Sequence, residues 1–206
     1  FEGTVELPEE SSLGMIGSIL VSGQHCSGEV RLPDGLTAIA PFAFSGNNNI
    51  TKVLLPEGLC GIGEGAFWGC GALMEVAAPS PCMIGARAFE KCISLTKIHV
   101  HAAGVGAAAF AFCRSLEEAE LTGVKVLAHR LFEGCSRLER CICRQVEVIG
   151  SYCFSGCHKL NGVDLCRVEE IGSYAFQNCD ALEKISLNEN VVLMPHAFED
   201  CGRLGT

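Results

Sequence analysis

Apolar side chains return along this chain on a fixed beat. Phe occupies positions 44, 67, 89, 110, 132, 154, 176 and 198, at intervals of 21 to 23 residues. Six residues after each Phe stands Ile50, Leu73, Leu95, Leu116, Leu138, Leu160, Leu182 or Leu204. Five residues before it stands Ile39, Ile62, Ile84, Val105, Leu127, Ile149, Ile171 or Leu193. Three residues after it, Asn47 is followed by Cys70, Cys92, Cys113, Cys135, Cys157, Cys179 and Cys201. The repeating unit reads I-G-x-x-A-F-x-x-C-x-x-L-x-x-I-x-L, with Gly63, Gly85, Gly106, Gly150 and Gly172 in its second place. A degenerate copy opens at Ile16-Gly17-Ser18 and closes on Val30 and Leu32, so nine units of about 22 residues run from 16 to 204.

The close of each unit alternates apolar and polar positions, as at Leu182, Ile185 and Leu187. That period of two predicts a short strand with one face inward. A strand so short cannot bury its own face, so successive units must stack with their strands in parallel, about 4.8 Å apart. The A-F-x-x-C stretch is predicted on the return path as a short helical or irregular turn, its Phe and Cys pointing into the core. Pro8, Pro33, Pro56 and Pro79 stop the early strands. The expected class is therefore α/β: one solenoid over residues 1–206, with a parallel sheet along one face. Neither end shows a polar cap. Residues 1 to 15 hold only a strand-like Val5-Glu6-Leu7-Pro8, and the last unit stops after Leu204. A longer array, or a partner covering an end, is expected on that ground.

The unit resembles the hallmark of the BspA-like, or treponemal-type, leucine-rich repeat family, and the resemblance covers Ile16 to Leu204. It implies a leucine-rich-repeat solenoid and a recognition scaffold instead of a reaction. Members include bacterial and protist surface proteins thought to bind host or matrix proteins, and intracellular proteins of unknown role. The expected function is a non-catalytic protein-protein recognition or scaffolding module, a subunit or docking surface in a larger assembly. A secreted or cell-surface adhesin is the alternative.

Composition narrows the partners. Fifteen Lys+Arg stand against 24 Asp+Glu, a net charge of −9, which repels nucleic-acid backbones. With 49% hydrophobic residues the chain has material for a core. The most apolar stretch, Ala102 to Phe112, is far shorter than the roughly 20 residues a membrane-spanning helix needs. The chain opens at Phe1 without Met or a leader, as a processed or excised piece would.

Fourteen cysteines invite metal or redox readings. Seven of them hold one fixed repeat position, however, and a free Cys is a small buried hydrophobe. Cys141 and Cys143 look like a C-x-C half-site but fill the two inward strand positions held by Val163 and Leu165 in the next unit. Cys153 takes the Ala place before a Phe. Cys60 and Cys82 align in consecutive units and form the pair best placed for a disulfide under oxidising conditions, given suitable Cβ directions. The many unpaired thiols favour a reducing compartment over an extracellular one.

Other motifs dissolve into the repeat. Gly61 to Ala66 and Gly104 to Ala109 match a loose dinucleotide fingerprint, yet no βαβ unit surrounds them. His99 and His101 share a strand face with Glu120 in the next unit; two imidazoles and a carboxylate suit zinc, but no fourth ligand is specified and a solvated polar face is the simpler reading. His25-Cys26 and His158-Cys157 lack a third group to orient thiol catalysis. The Asn49-Ile50-Thr51 sequon matters only in a secreted chain. No catalytic residue, cofactor or metal is expected.

The informative surface is the outer face of the sheet. One row reads Lys52, Glu75, Lys97, Glu118, Arg140, Gly162, Lys184, alternating in sign over its first five places. The parallel row reads Leu54, Ala77, His99, Glu120, Ile142, Asp164, Ser186, a mixture suited to protein contact. Arg140, with Ile142 and Arg144 expected on the same strand face, is the best single anchor, and His101 adds a further polar group. Trp68, Phe112, Tyr152 and Tyr174 on the return path form a secondary aromatic surface.

Overall fold

The computed structural model describes residues 13–78 and 81–205. Val5-Glu6-Leu7, Pro8 and Pro79 lie outside the described residues. The chain winds as a parallel β-solenoid, but most coils contribute two short strands where one was expected. The first ribbon holds the anticipated strands: β3 (Gly28–Arg31), β5 (Ile50–Leu54), β7 (Glu75–Ala77), β9 (Lys97–Val105), β10 (Glu118–Thr122), β12 (Arg140–Ile142) and β14 (Gly162–Val163). The second runs through the apolar position that precedes the repeat Gly. It comprises β2 (Ile19–Ser22), β4 (Ala38–Ile39), β6 (Gly61–Ile62), β8 (Cys82–Ile84), β11 (Val126–Leu127), β13 (Val148–Ile149), β15 (Glu170–Ile171) and β16 (Val192–Leu193). A leading strand, β1 (Gly14–Ile16), pairs antiparallel with β2. Residues 182–188, read from their alternation as a strand, make no ladder, and the first ribbon ends at β14. Gly162 weakens that last strand, so its outer edge is a poor template.

Strand β9 joins the ribbons. Elsewhere six or seven residues separate the two strand positions of a coil, but Val100 and Val105 are five apart with no proline between them. The backbone therefore runs straight through instead of turning. Its first half pairs forward with β10, Lys97 opposite Glu118, and its second half pairs backward with β8, Val105 opposite Ile84. Each ribbon is interrupted beside it: β7 is not paired with β9 in the first, nor β9 with β11 in the second.

No helix occurs among the described residues, so the helical returns, and with them the α half of the expected α/β class, are corrected. The cause is local. The residues two before and two after each repeat Phe take left-handed conformations, as at Arg130 (φ 58°) and Gly134 (φ 69°). That alternation turns every second amide outward along the solenoid axis. Arg130, Phe132 and Gly134 donate to Ser151, Cys153 and Ser155 of the next coil at 3.0, 2.8 and 2.8 Å. Leu131, Glu133 and Cys135 donate three residues back instead. A helix would need each amide to donate four residues back, so the return path becomes a third inter-coil ladder.

The core lies between these ladders. Phe44 to Phe198 stack in one column, with ring centroids 4.8 Å apart at Phe44–Phe67 and 5.8 Å at Phe110–Phe132. The ladder cysteines do more than fill space. Each thiol donates to the carbonyl of the Phe one coil earlier, from Cys70 to Phe44 at 3.1 Å to Cys201 to Phe176 at 3.1 Å. Asn47 does the same work at the start of the series, its Nδ2 donating to Gly23 O and Cys26 O at 2.9 Å each. The repeat Gly is set by close approach of backbones: a Cβ on Gly150 would stand 2.7 Å from His129 N.

Candidate functional site

The outward face of the first ribbon carries the expected rows in register in two blocks, Lys52 with Glu75 and then Lys97 through Arg140. Lys52 Nζ lies 3.3 Å from Glu75, and Glu118 is shared between Lys97 at 3.8 Å and Arg140 at 3.2 Å. His99 Nδ1 meets Glu120 at 3.1 Å, and Ile142 continues that row half-buried. These pairs are solvent-exposed, worth about 0.2–1 kcal/mol each, so they set local charge order more than stability. Arg140 is therefore engaged with Glu118 on the strand, not unopposed. Arg144 is not on the strand face with it: β12 ends at Ile142 and Arg144 sits in the following turn. Asp164 likewise follows β14, accepting from Cys166 N at 3.1 Å, and Lys184 lies beyond the last strand of the ribbon. His101 is exposed opposite Thr122. Among the described residues no three His, Cys, Asp or Glu side chains converge to hold a metal.

The alternation of charge lapses at one step. No ion pair joins Glu75 to Lys97 among the described residues, and this is where β7 and β9 part. A groove of about 1330 Å³ opens on the face there. Leu54, Glu75, Lys97 and His99 from the expected rows line it, together with Arg31, Pro56, Met74, Val76 and Ala78. Val76 and Ala78 carry no sequence signal of exposure, because both occupy inward repeat positions. Only the loss of the β7–β9 ladder brings them to the surface.

On the return path, Tyr152 and Tyr174 stack at 5.0 Å, extended by Arg130 over Tyr152 at 5.0 Å and His196 against Tyr174 at 4.9 Å. Lys91 lies over Trp68 at 5.0 Å, and the Phe112 ring lies over Gly134, where a Cβ would come within 2.6 Å. Each of these aromatics is half-buried against its neighbouring coil. Arg130 and His196 hold the same repeat position as the two tyrosines, two residues before Phe132 and Phe198, so the spacing contained the whole column although only its aromatics were picked out from the sequence.

No disulfide joins any of the fourteen cysteines among the described residues. Burial pushes the Cys70 and Cys113 thiols up to about 12. Cys141 and Cys143 shift in opposite directions through their mutual hydrogen bond, Cys141 up, with burial adding to it, and Cys143 down. Protonated buried thiols are inert, which fits packing and not nucleophilic chemistry. Cys60 is exposed while its register neighbour Cys82 is 1% exposed, and no disulfide joins the two. No helix among the described residues is long and apolar enough to cross a membrane.

Comparison with known proteins agrees with this architecture. The pattern described as BspA type Leucine rich repeat region matches residues 16–139 and 83–205, in six copies. A leucine-rich repeat protein from Bacteroides ovatus is 25% identical over 89% of this chain and 55% of its own, with a TM-score of 0.71. One from Eubacterium ventriosum is 26% identical over 89% of this chain and 46% of its own, with a TM-score of 0.62. The Treponema pallidum leucine rich repeat protein is 27% identical over 75% of this chain and 91% of its own, with a TM-score of 0.55. The chain thus spans about half the length of the first two. None of the curated proteins matches it.

Proposed function

Since this chain belongs to the BspA type leucine-rich repeat family, we propose that it is a non-catalytic recognition module that holds a protein partner on the outer face of its first ribbon. The observation that carries this reading is the groove beside β9, which opens among the same rows of alternating charge and mixed polarity. A repeat face of this kind grows in area with each strand while its backbone stays rigid, so little ordering entropy is lost on contact. Arg140 supplies a long side chain near the centre of the array and Glu118 holds it in place. The acidic total charge directs the partner choice toward proteins and away from nucleic acid.

Lysine crosslinking and mass spectrometry on material from the native source test this. Crosslinks from Lys52 and Lys97 to one recurring protein are expected. Crosslinks confined to Lys91, on the return path, would place the partner on the opposite side. With the partner in hand, Arg140→Glu should weaken binding by more than about 1 kcal/mol, because it sets two carboxylates beside each other and removes an anchor. Loss of binding in Tyr152→Ala and Tyr174→Ala with no effect of Arg140→Glu would overturn the reading.

A further inference from the structure

The last inward position of the first ribbon reads Leu32, Leu55, Ala78, Val100, Leu121, Cys143, Leu165 in successive coils. Leu32, Leu55, Leu121, Cys143 and Leu165 are buried, whereas Ala78 and Val100 are only half-buried. The neighbouring inward row shows the same lapse: Val53 and Ile98 are buried and Val76 between them is not. So in the coil where β7 fails to pair with β9 the inward positions are partly exposed, and one methyl stands between the isobutyl group of Leu55 and the isopropyl group of Val100. The gap is not an internal cavity. The enclosed space beneath, lined by Leu55, Val76, Ala78, Ile98, Val100 and Phe110 among others, amounts to only about 10 Å³. The missing volume faces the groove.

We propose that this notch at Ala78 receives one leucine-sized aliphatic side chain from an extended segment of a protein partner. Three features select that occupant. The floor is apolar and the size of the lapse is one Leu against Ala. The facing backbones of β7 and β9 are not joined in a ladder, and an extended segment is the ligand whose own amides and carbonyls can use them. The rims carry both signs, Arg31 and Lys97 against Asp34, Glu57 and Glu75, which suits an uncharged or zwitterionic peptide and disfavours a polyanion. His99 lines both the groove and the apolar space beneath it, so it forms the hinge between polar rim and floor.

The probes are two capped pentapeptides, acetyl-Thr-Thr-Leu-Thr-Thr-amide and its counterpart with Ala at the centre, titrated into isotope-labelled chain with methyl NMR detection. The Leu peptide should shift the methyl resonances of Val76 and Val100, and the Ala peptide should bind about tenfold more weakly or worse, as expected for loss of one buried aliphatic side chain. Ala78→Leu fills the notch from within; it should weaken the Leu peptide about tenfold or more and leave the thermal midpoint no lower than the parent's. Equal shifts from both peptides, no shift at Val76 and Val100, or undiminished binding to Ala78→Leu would each overturn the proposal. The comparison of peptides on the parent chain stands even where the variant fails to fold. The inference rests on the outer face being the recognition surface, yet the two fail separately. Crosslinks from Lys52 and Lys97 with no peptide-induced shift reject the notch alone; peptide binding at the notch with crosslinks confined to Lys91 rejects the wider face alone.

Discussion

Phe132→Ala is the sharpest probe of how this solenoid holds together. The Phe132 side chain is fully buried, with Phe110 at 5.8 Å on one side and Phe154 at 5.5 Å on the other. Its truncation removes the transfer free energy of the ring and leaves a cavity that rigid coils on both sides cannot collapse, a loss of about 3–5 kcal/mol. Against a total stability of about 5–15 kcal/mol, that is a large fraction. Phe198 supplies the internal control. It is only half-buried and, among the described residues, stacks on Phe176 alone at 5.0 Å, so Phe198→Ala should cost about half as much. Urea unfolding under reducing conditions, followed by circular dichroism, gives both values. Because each coil touches only its neighbours, amide exchange should accelerate around Phe110 and Phe154 while the coil of Phe44 keeps its protection. Coincident melts of Phe132→Ala and the parent, or equal losses at Phe132 and Phe198, would refute the column as a nearest-neighbour device.

Three further outcomes follow from the ladders. Gly150→Ala should cost about 1–3 kcal/mol by thermal melt, since its Cβ would press on His129 N at 2.7 Å and Ala128 C at 2.9 Å, backbone atoms that have no flexible end to move; an unchanged midpoint would show that the coils slide apart freely. Asn47→Ala should cost about 2–3 kcal/mol, because it leaves the Gly23 and Cys26 carbonyls and the Asn49 amide without their side-chain partner, and a loss in urea unfolding below that of a plain surface change would contradict the count of bonds. Alkaline pH should unfold the chain early. Cys70 and Cys113 stay protonated in the fold up to about 12 but ionise near 9.0 once exposed, so the unfolded state binds fewer protons. Stability is then full below about 9 and is lost progressively as pH rises from there toward about 12. A flat stability curve from pH 9 upward, measured with reductant present, would remove the thiols from the account.

Much of this molecule is written in its spacing. The eight Phe positions, the Leu six residues on and the alternating close of each unit dictate parallel stacking and put Lys52, Glu75, Lys97, Glu118 and Arg140 in one outward row, because an inward apolar position in a strand forces its neighbours out. The ladder cysteines were legible as core because they hold one fixed repeat position. What spacing could not convey depends on backbone geometry between coils. Left-handed residues at Arg130, Tyr152 and Tyr174 turn the return path into a hydrogen-bonded ladder, and no side-chain pattern announces a left-handed Arg or Tyr. The donation from each ladder thiol to a Phe carbonyl one coil away is likewise invisible until the coils are stacked. The opening at Val76 and Ala78 is the clearest case: by repeat position both belong to the core. Only the straight run of β9 and the lost pairing with β7 expose them, because strand pairing is a relation between coils and no single coil's sequence contains it.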